Sequence, residues 1–339
     1  MRLNDQSTQS RIEVRSAGVQ ALAGILVVDF TRYLPGAYAS RELLRLGARV
    51  VRVESPEGDP MRNTAPAWDA ALRAGTESVV CDLKGDTELA RALCARADIV
   101  LESFRPGVAE RLGIGPADVP DSTVYCSIAG FGDDGRHAAR AGHDLNYLGW
   151  AGALEDTAPG NPPVQAADLA AGALGAVVQV LAALLERERT GKGTRIVISM
   201  THGSHDLVAH RLGGEPFPRM LTGGLACYRM YATSDSRYLT VGALEPKFFV
   251  RLCELLDRPK LAERQYADDQ EALAAELAEI FTGRSLEGWL AHFGDEDVCV
   301  GPVRTREEAT AEFGVKRAGP GPTLGEDTSS WRAELGMPK

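Results

Sequence analysis

Over the first two hundred residues, short and almost wholly apolar runs alternate with amphipathic stretches. GILVVDF (24–30), ARVVRVE (48–54), SVVCDL (78–83), DIVLESF (98–104), TVYCSIAGF (123–131) and TRIVISM (194–200) have the length and β-branched content of strands buried on both faces. Between them, AYASRELLRLG, entered by a turn at Leu34-Pro35-Gly36, and ELARALCARA (88–97) carry the helical period. Asp168, in the N-cap role, opens a long Ala/Gly-rich helix that closes at Thr190-Gly191-Lys192-Gly193. The alternation predicts an α/β fold, with a large domain over 21–200 built on a mostly parallel, doubly wound sheet.

The pattern changes after residue 200. Residues 201–222 are broken by Gly and Pro and read as a linker. Residues 223–300 predict a smaller α+β domain, with CYRMYAT and YLTVGAL as strands and KFFVRLCELLD, EALAAELAEIFTG and SLEGWLAHFG as helices. A Pro/Gly-rich return segment with one short helix is expected over 301–339, and a polar, aperiodic arm over 1–20.

Composition narrows the partners. Lys and Arg number 37 against 47 Asp and Glu, a net charge of −10 with no basic block, which argues against a nucleic-acid partner. Any anionic ligand must be held by a few local cations. The uncharged run Leu169–Leu185 is Ala/Gly-rich and only 17 residues long, so a core helix is expected rather than a membrane contact. The amino terminus lacks an apolar signal core, and six cysteines (81, 94, 126, 227, 253, 299) form no CxxC pair, which predicts a reducing, cytoplasmic setting. His202, His205 and His210 crowd the linker without a metal-ligand spacing, and no metal is expected.

Candidate chemistry is sparse when each motif is taken alone. Glu54 ends the second strand where a ribose-binding acid would sit, but RYLPGAYAS lacks GxGxxG, and no GxxxxGK[ST] occurs. In Arg140–Tyr147, His143 stands beside Asp144, either a tuned proton-transfer pair or a loop histidine with a solvated neighbour. Asp168 fits a plain cap equally well as a carboxylate beside a ligand oxygen. Glu245 follows a strand in VGALEP, at a cleft edge or in an exposed turn. Phe104-Arg105 and Arg111 lie past the fourth strand, on the carboxyl edge where open α/β sheets bind ligands.

In order along the chain, LAGILVVDF, LGARVVRVESP, CDLKGD, DIVLESFRPGVAERLGIGP, YCSIAGFGDDG, AGHDLNYLGWAGAL, AADLAAGALGA, ERTGKG, GGLACYRMYATSD and VGALEPKFF resemble the family III CoA-transferase superfamily from about residue 22 to 310. Within it the sequence most resembles the α-methylacyl-CoA racemases, which add AGHDxNY and the Glu after VGA. The resemblance implies that His143 and Asp168 are an acid/base pair on opposite faces of the α-carbon, supported by Asp144 near the imidazole and by Glu245. The implied reaction is epimerisation of a 2-methylacyl-CoA by 1,1-proton transfer through an enolate, with backbone donors at the start of the Asp168 helix serving the enolate oxygen. It needs no cofactor beyond the CoA of the acyl-CoA thioester itself.

CoA contacts carry over to Cys81, Asp82, Leu83, Lys84, Ser103, Phe104, Arg105, Arg111, Gly142, Leu145, Asn146 and Tyr147. The family's interlocked homodimer implies that the partner subunit's Glu245 completes each site. Two alternatives stay open: CoA transfer to a carboxylate with Asp168 as nucleophile, and a catalytically silent acyl-thioester binding protein. This chain also departs from the racemase pattern. Ser55 stands where racemases have Arg, Ala74-Gly75-Thr76-Glu77 replaces a basic patch, Ser199 replaces an Asp, and the return segment is short.

Overall fold

A computed structural model describes residues 20–314 and 319–338; the arm expected over 1–20 lies, save Gln20, outside the described residues. Six strands form one parallel sheet: β1 (Leu26–Asp29), β2 (Arg49–Glu54), β3 (Glu77–Val80), β4 (Ile99–Glu102), β5 (Val124–Ala129) and β6 (Arg195–Ser199). Their order is β3-β2-β1-β4-β5-β6. Successive residues of a strand point to opposite faces. Val27, Ile99 and Leu101 accordingly enter one apolar layer, with Leu43, Val180 and Leu184, while Val28, Val51 and Val100 enter the other, with Leu89 and Leu93. Both faces are covered, which is why the strands read as continuous apolar runs.

This sheet belongs to the larger of two compact units, which among the described residues takes in 20–155, 160–209 and 319–338. Residues 156–159 and 210–314 form the smaller unit. There β7 (Tyr228–Ala232), β8 (Tyr238–Gly242) and β9 (Val300–Pro302) pair antiparallel around helices Pro246–Leu255, Gln270–Phe281 and Leu286–Phe293. Phe249, Leu252, Leu277, Phe281 and Trp289 fill its core. The fold is mixed α/β.

Several local expectations are corrected. The first helix begins at Tyr33, so Leu34-Pro35-Gly36 lies in its first turn, where proline's fixed φ is tolerated and its missing N–H costs nothing. Asp168 is not the cap but the second residue of a π-helical segment, Ala167–Leu174, that leads into helix Gly175–Thr190. The stretch read as a linker opens with helix Met200–Leu207, capped by the Ser199 hydroxyl accepting from the His202 N–H. Strand β9 escaped notice because three residues containing Gly and Pro carry no strand signal. Two helices occur near the carboxyl terminus, not one: Arg306–Phe313, started by the Thr305/Glu308 capping box, and Thr328–Glu334.

Helix Thr328–Glu334 closes the open edge of the large sheet. The N–H groups of Ser78 and Val80 donate to Asp327 Oδ2 (2.8 Å) and Thr328 Oγ1 (3.0 Å), and Trp331 is 1% exposed beneath the Arg49 guanidinium. An unpaired strand edge is thereby satisfied by side chains. Helix Ala167–Thr190 is, among the described residues, the one long and apolar enough to cross a membrane; its Ala173, Ala176, Val180 and Leu184 pack in the core of the sheet.

Candidate active site

With β2 and β3 to one side of β1, and β4 to β6 to the other, the chain reverses direction at the β1/β4 boundary. The order is that of dinucleotide-binding sheets, although their glycine fingerprint is missing, and the carboxyl edge at such a switch point is where ligands bind. Two clefts open there. One, of about 610 Å³, is lined by Arg32, Tyr33, Ser103–Pro106, Ile128–Gly130, Arg140–His143, Asn146, Tyr147, Asp168 and Met200, together with Pro35 and Ala138. The other, of about 500 Å³, lies over the ends of β1, β2 and β3 and includes Asp82, Leu83 and Lys84. Arg32 and Phe104 line both.

His143 is the exposed N-cap of helix Asp144–Trp150, and its own N–H donates to Asn146 Oδ1 at 3.0 Å. The Tyr33 ring stands edge-on to the imidazole, centroids 6.3 Å apart. Asp144 is buried, and Oδ1 accepts from the backbone N–H of Asp168 at 2.9 Å. One short hydrogen bond therefore ties the His143 helix to the π-helical segment that carries Asp168. The Asp144 carboxylate, expected near the imidazole, is thereby engaged with the Asp168 backbone.

Burial pushes the Asp168 carboxyl up to about 7, and the nearby Asp144 charge adds to the effect. Burial also raises Tyr147, with Asp168 contributing. The Tyr147 hydroxyl donates to the Gly142 carbonyl, and its ring lies so close to Gly130 and Gly142 that a Cβ there would meet ring carbons at 2.4 and 2.8 Å. Only glycine fits at those two positions. Backbone donors expected at the start of the Asp168 helix are already engaged: the Asp168 N–H by Asp144, and the Leu169 N–H by the Gln165 carbonyl at 2.9 Å. Positive charge in the cleft comes instead from Arg32, Arg105 and Arg140, none of which forms an ion pair among the described residues.

The structure thus brings Gly142, His143, Asn146, Tyr147, Asp168, Ser103, Phe104 and Arg105 to one cleft, and Asp82, Leu83, Lys84 and Phe104 to the other. Cys81 is buried with its thiol on the Asp86 carbonyl, Arg111 sits on helix Val108–Leu112, and Leu145 is 45% exposed; none of the three lines either cleft. Glu245 is the exposed N-cap of helix Pro246–Leu255 in the smaller unit. His202 and His205 bond Ser199 Oγ and the Ala151 carbonyl, and among the described residues no group of three potential metal ligands converges. Sequence reasoning missed Arg32, Tyr33 and Met200. The first two directly follow β1 at the switch point, which was the available signal.

The sequence profile of CoA-transferase family III matches residues 22–324. The human alpha-methylacyl-CoA racemase is 35% identical over 309 residues, covering 85% of this chain and 79% of that protein. The human succinyl-CoA:glutarate CoA-transferase is 28% identical over 326 residues, covering 87% and 74%. A CAIB/BAIF family protein from Brucella suis, solved by crystallography, superimposes with a TM-score of 0.79 at 28% identity, covering 93% of this chain and 99% of that one. With a family match across most of its length and a relative above 30% identity, the chain belongs to CoA-transferase family III.

Proposed function

We propose that the protein epimerises the α-carbon of a 2-methylacyl-CoA, or a similar α-branched acyl thioester, by 1,1-proton transfer through an enolate. The observation that carries this reading is the Asp168 carboxyl, held at about 7 and sharing a cleft with the His143 imidazole. Near neutrality such a carboxyl is present both as acid and as base, and proton transfer is most effective with that match. One member of the pair takes the α-proton, and the other returns a proton to the opposite face; the roles exchange for the reverse direction. The field of Arg105 and Arg140 favours the negative charge of the enolate. An anhydride-forming nucleophile needs ionised carboxylate, and the burial that raises Asp168 works against that form.

Transfer of CoA to a carboxylate is the second reading, favoured by the transferase among the relatives. We also take the working form to be a cytoplasmic homodimer, with the partner subunit's Glu245 in support of the pair. Leu174, Val178 and Leu185, 43, 62 and 71% exposed on one helix face, support a second chain as cover. The test is α-proton exchange: (2R)-2-methylacyl-CoA in D₂O, without acceptor acid, followed by NMR. Exchange with epimerisation in the wild type, lost in His143→Ala, is the expected result. Thioester transfer that requires an acceptor, survives His143→Ala and leaves a hydroxylamine-sensitive adduct at Asp168 would install the transferase reading instead.

A further inference from the structure

The two clefts meet at a wall made by two loops, one after β1 and one after β4, the strands that flank the switch point. Arg32 from the first loop and Phe104 from the second line both clefts. The ladder between the two strands runs on to the Phe30 N–H, which donates to the Leu101 carbonyl at 2.8 Å. Beyond it a side chain joins the loops: the Arg32 N–H donates to Ser103 Oγ at 3.0 Å, and the Phe30 and Phe104 rings lie 6.4 Å apart.

Each loop starts from a buried acid. Asp29, at the end of β1 and fully buried, accepts the Thr31 N–H through Oδ1 at 2.8 Å and meets Arg73 through Oδ2 at 2.6 Å. Glu102, at the end of β4 and 6% exposed, accepts the Phe104 N–H through Oε2 at 2.6 Å. Both carboxylates hold the N–H two residues on, the way a side chain fixes the first turn of a loop. Their surroundings differ. Burial is the largest influence on Glu102 and pushes its carboxyl up; the Ser127 hydroxyl and the Phe104 N–H draw it back, and the Glu110 and Arg195 charges contribute less. Burying a carboxylate is costly, and a neutral acceptor would satisfy one N–H. What an ionised oxygen adds is a shorter and stronger bond, and so a stiffer turn. Glu102 itself lines neither cleft.

Resting on the thioester reading above, we propose that Glu102 is the positioning residue of this wall. By holding the Phe104 N–H it sets Ser103 against Arg32 and Arg105 in the catalytic cleft, so that the CoA part of the thioester meets a preformed surface. It acts on binding and not on proton transfer, because His143 and Asp168 belong to other segments, the start of helix Asp144–Trp150 and the π-helical Ala167–Leu174.

The test compares the full chain as wild type, as Glu102→Met, which keeps the volume without an acceptor, and as Glu102→Gln, which keeps a neutral acceptor. By calorimetric titration with CoA, Glu102→Met should bind about tenfold more weakly, the order of one charge-assisted hydrogen bond. Glu102→Gln should recover at least threefold of that loss. In α-proton exchange the Glu102→Met loss should fall on KM, with kcat within about threefold. A loss of CoA affinity below threefold in Glu102→Met, a Glu102→Gln protein no tighter than Glu102→Met, or a loss carried by kcat alone overturns the proposal, whatever the thermal midpoint does. If Glu102→Met does not fold, Ser103→Ala decides. A threefold or larger loss of CoA affinity with faster amide exchange at Arg32, both returned by Ser103→Thr, supports the wall, and anything less overturns it. A wild type that binds CoA but exchanges no α-proton sinks the α-carbon reading alone, since the titrations need no turnover; one that binds no CoA overturns the proposal.

Discussion

The two clefts share Arg32 and Phe104 but are built on opposite plans. Around Asp168, a few ionisable groups line an open wall, held by single hydrogen bonds at and between helix starts, and one carboxyl is displaced far from its ordinary value. Under the second cleft lies a buried lattice in which Arg52, Arg62 and Arg73 meet Asp29, Glu54, Asp59 and Asp69. Under the proposed reading, the perturbed carboxyl makes the first the place where protons move. In the second, charges neutralise one another out of solvent and fix the loops: Asp29 Oδ1 accepts from the Thr31 N–H at 2.8 Å, and Asp59 Oδ1 from the Met61 N–H at 2.8 Å. The first cleft has its charges facing the ligand space, and the second has them locked beneath its floor.

That contrast is broken most sharply at His143. Because it is an exposed cap, His143→Ala should slow α-proton exchange by roughly 10²–10⁴-fold and leave the thermal midpoint almost unchanged. A large loss of stability in that variant would mean that the catalytic cleft is also a structural keystone.

Arg52→Met should do the reverse. Removing one partner of a buried pair costs about 3–5 kcal/mol, and here Glu54, Asp59 and Asp69 all lose their shared cation. Urea unfolding measures it directly. A loss below about 1 kcal/mol would show that the lattice is dispensable to folding, since apolar replacement of a buried ion pair can be neutral.

The sheet was legible because its strands are buried on both faces, so that adjacent residues such as Val27 and Val28 are both apolar. His143 and Asp168 were legible as motif positions. What was hidden depends on distance in the chain: the Asp144 carboxylate finds a backbone N–H 24 residues away, and no local pattern encodes that. The buried lattice was equally hidden, since Arg52 and Arg73 look like ordinary charged residues until the fold closes over them. Pro35 misled because proline serves a turn and a helical first turn alike. Ser199, which the resemblance marks only as replacing an Asp, also caps helix Met200–Leu207, a role no motif showed.

A smaller effect is expected at Asp168. An ordinary aspartic acid titrates near 4, whereas this one is held at about 7 in the folded chain. Between those values the folded protein keeps a proton that the unfolded chain has released, so stability falls as pH rises through that window and the loss is complete above 7. Asp168→Asn removes the titration. The variant should therefore gain about 2 kcal/mol over wild type at pH 8, allowing for partial exposure, and nothing comparable at pH 4, by urea unfolding at the two values. Equal differences at both would mean that burial does not hold the proton on Asp168.

The smallest effect concerns the link between the clefts. Tyr33 has φ +64, in the left-handed region, and its N–H donates to Asp59 Oδ2 at 3.2 Å, so the buried lattice helps hold a strained residue whose ring meets His143 edge-on. A non-glycine residue there costs about 1–2 kcal/mol, and glycine gives back about 0.5–1 kcal/mol in chain entropy. Tyr33→Gly should therefore raise stability by no more than about 1 kcal/mol. If the ring orients the imidazole, exchange in this variant should slow by about tenfold, and Tyr33→Phe should retain the wild-type rate because it keeps the ring. A Tyr33→Gly enzyme that exchanges protons at the wild-type rate would show that the lattice shapes only its own cleft, and that the hydrogen bond from Tyr33 to Asp59 carries no orientation across to the chemistry.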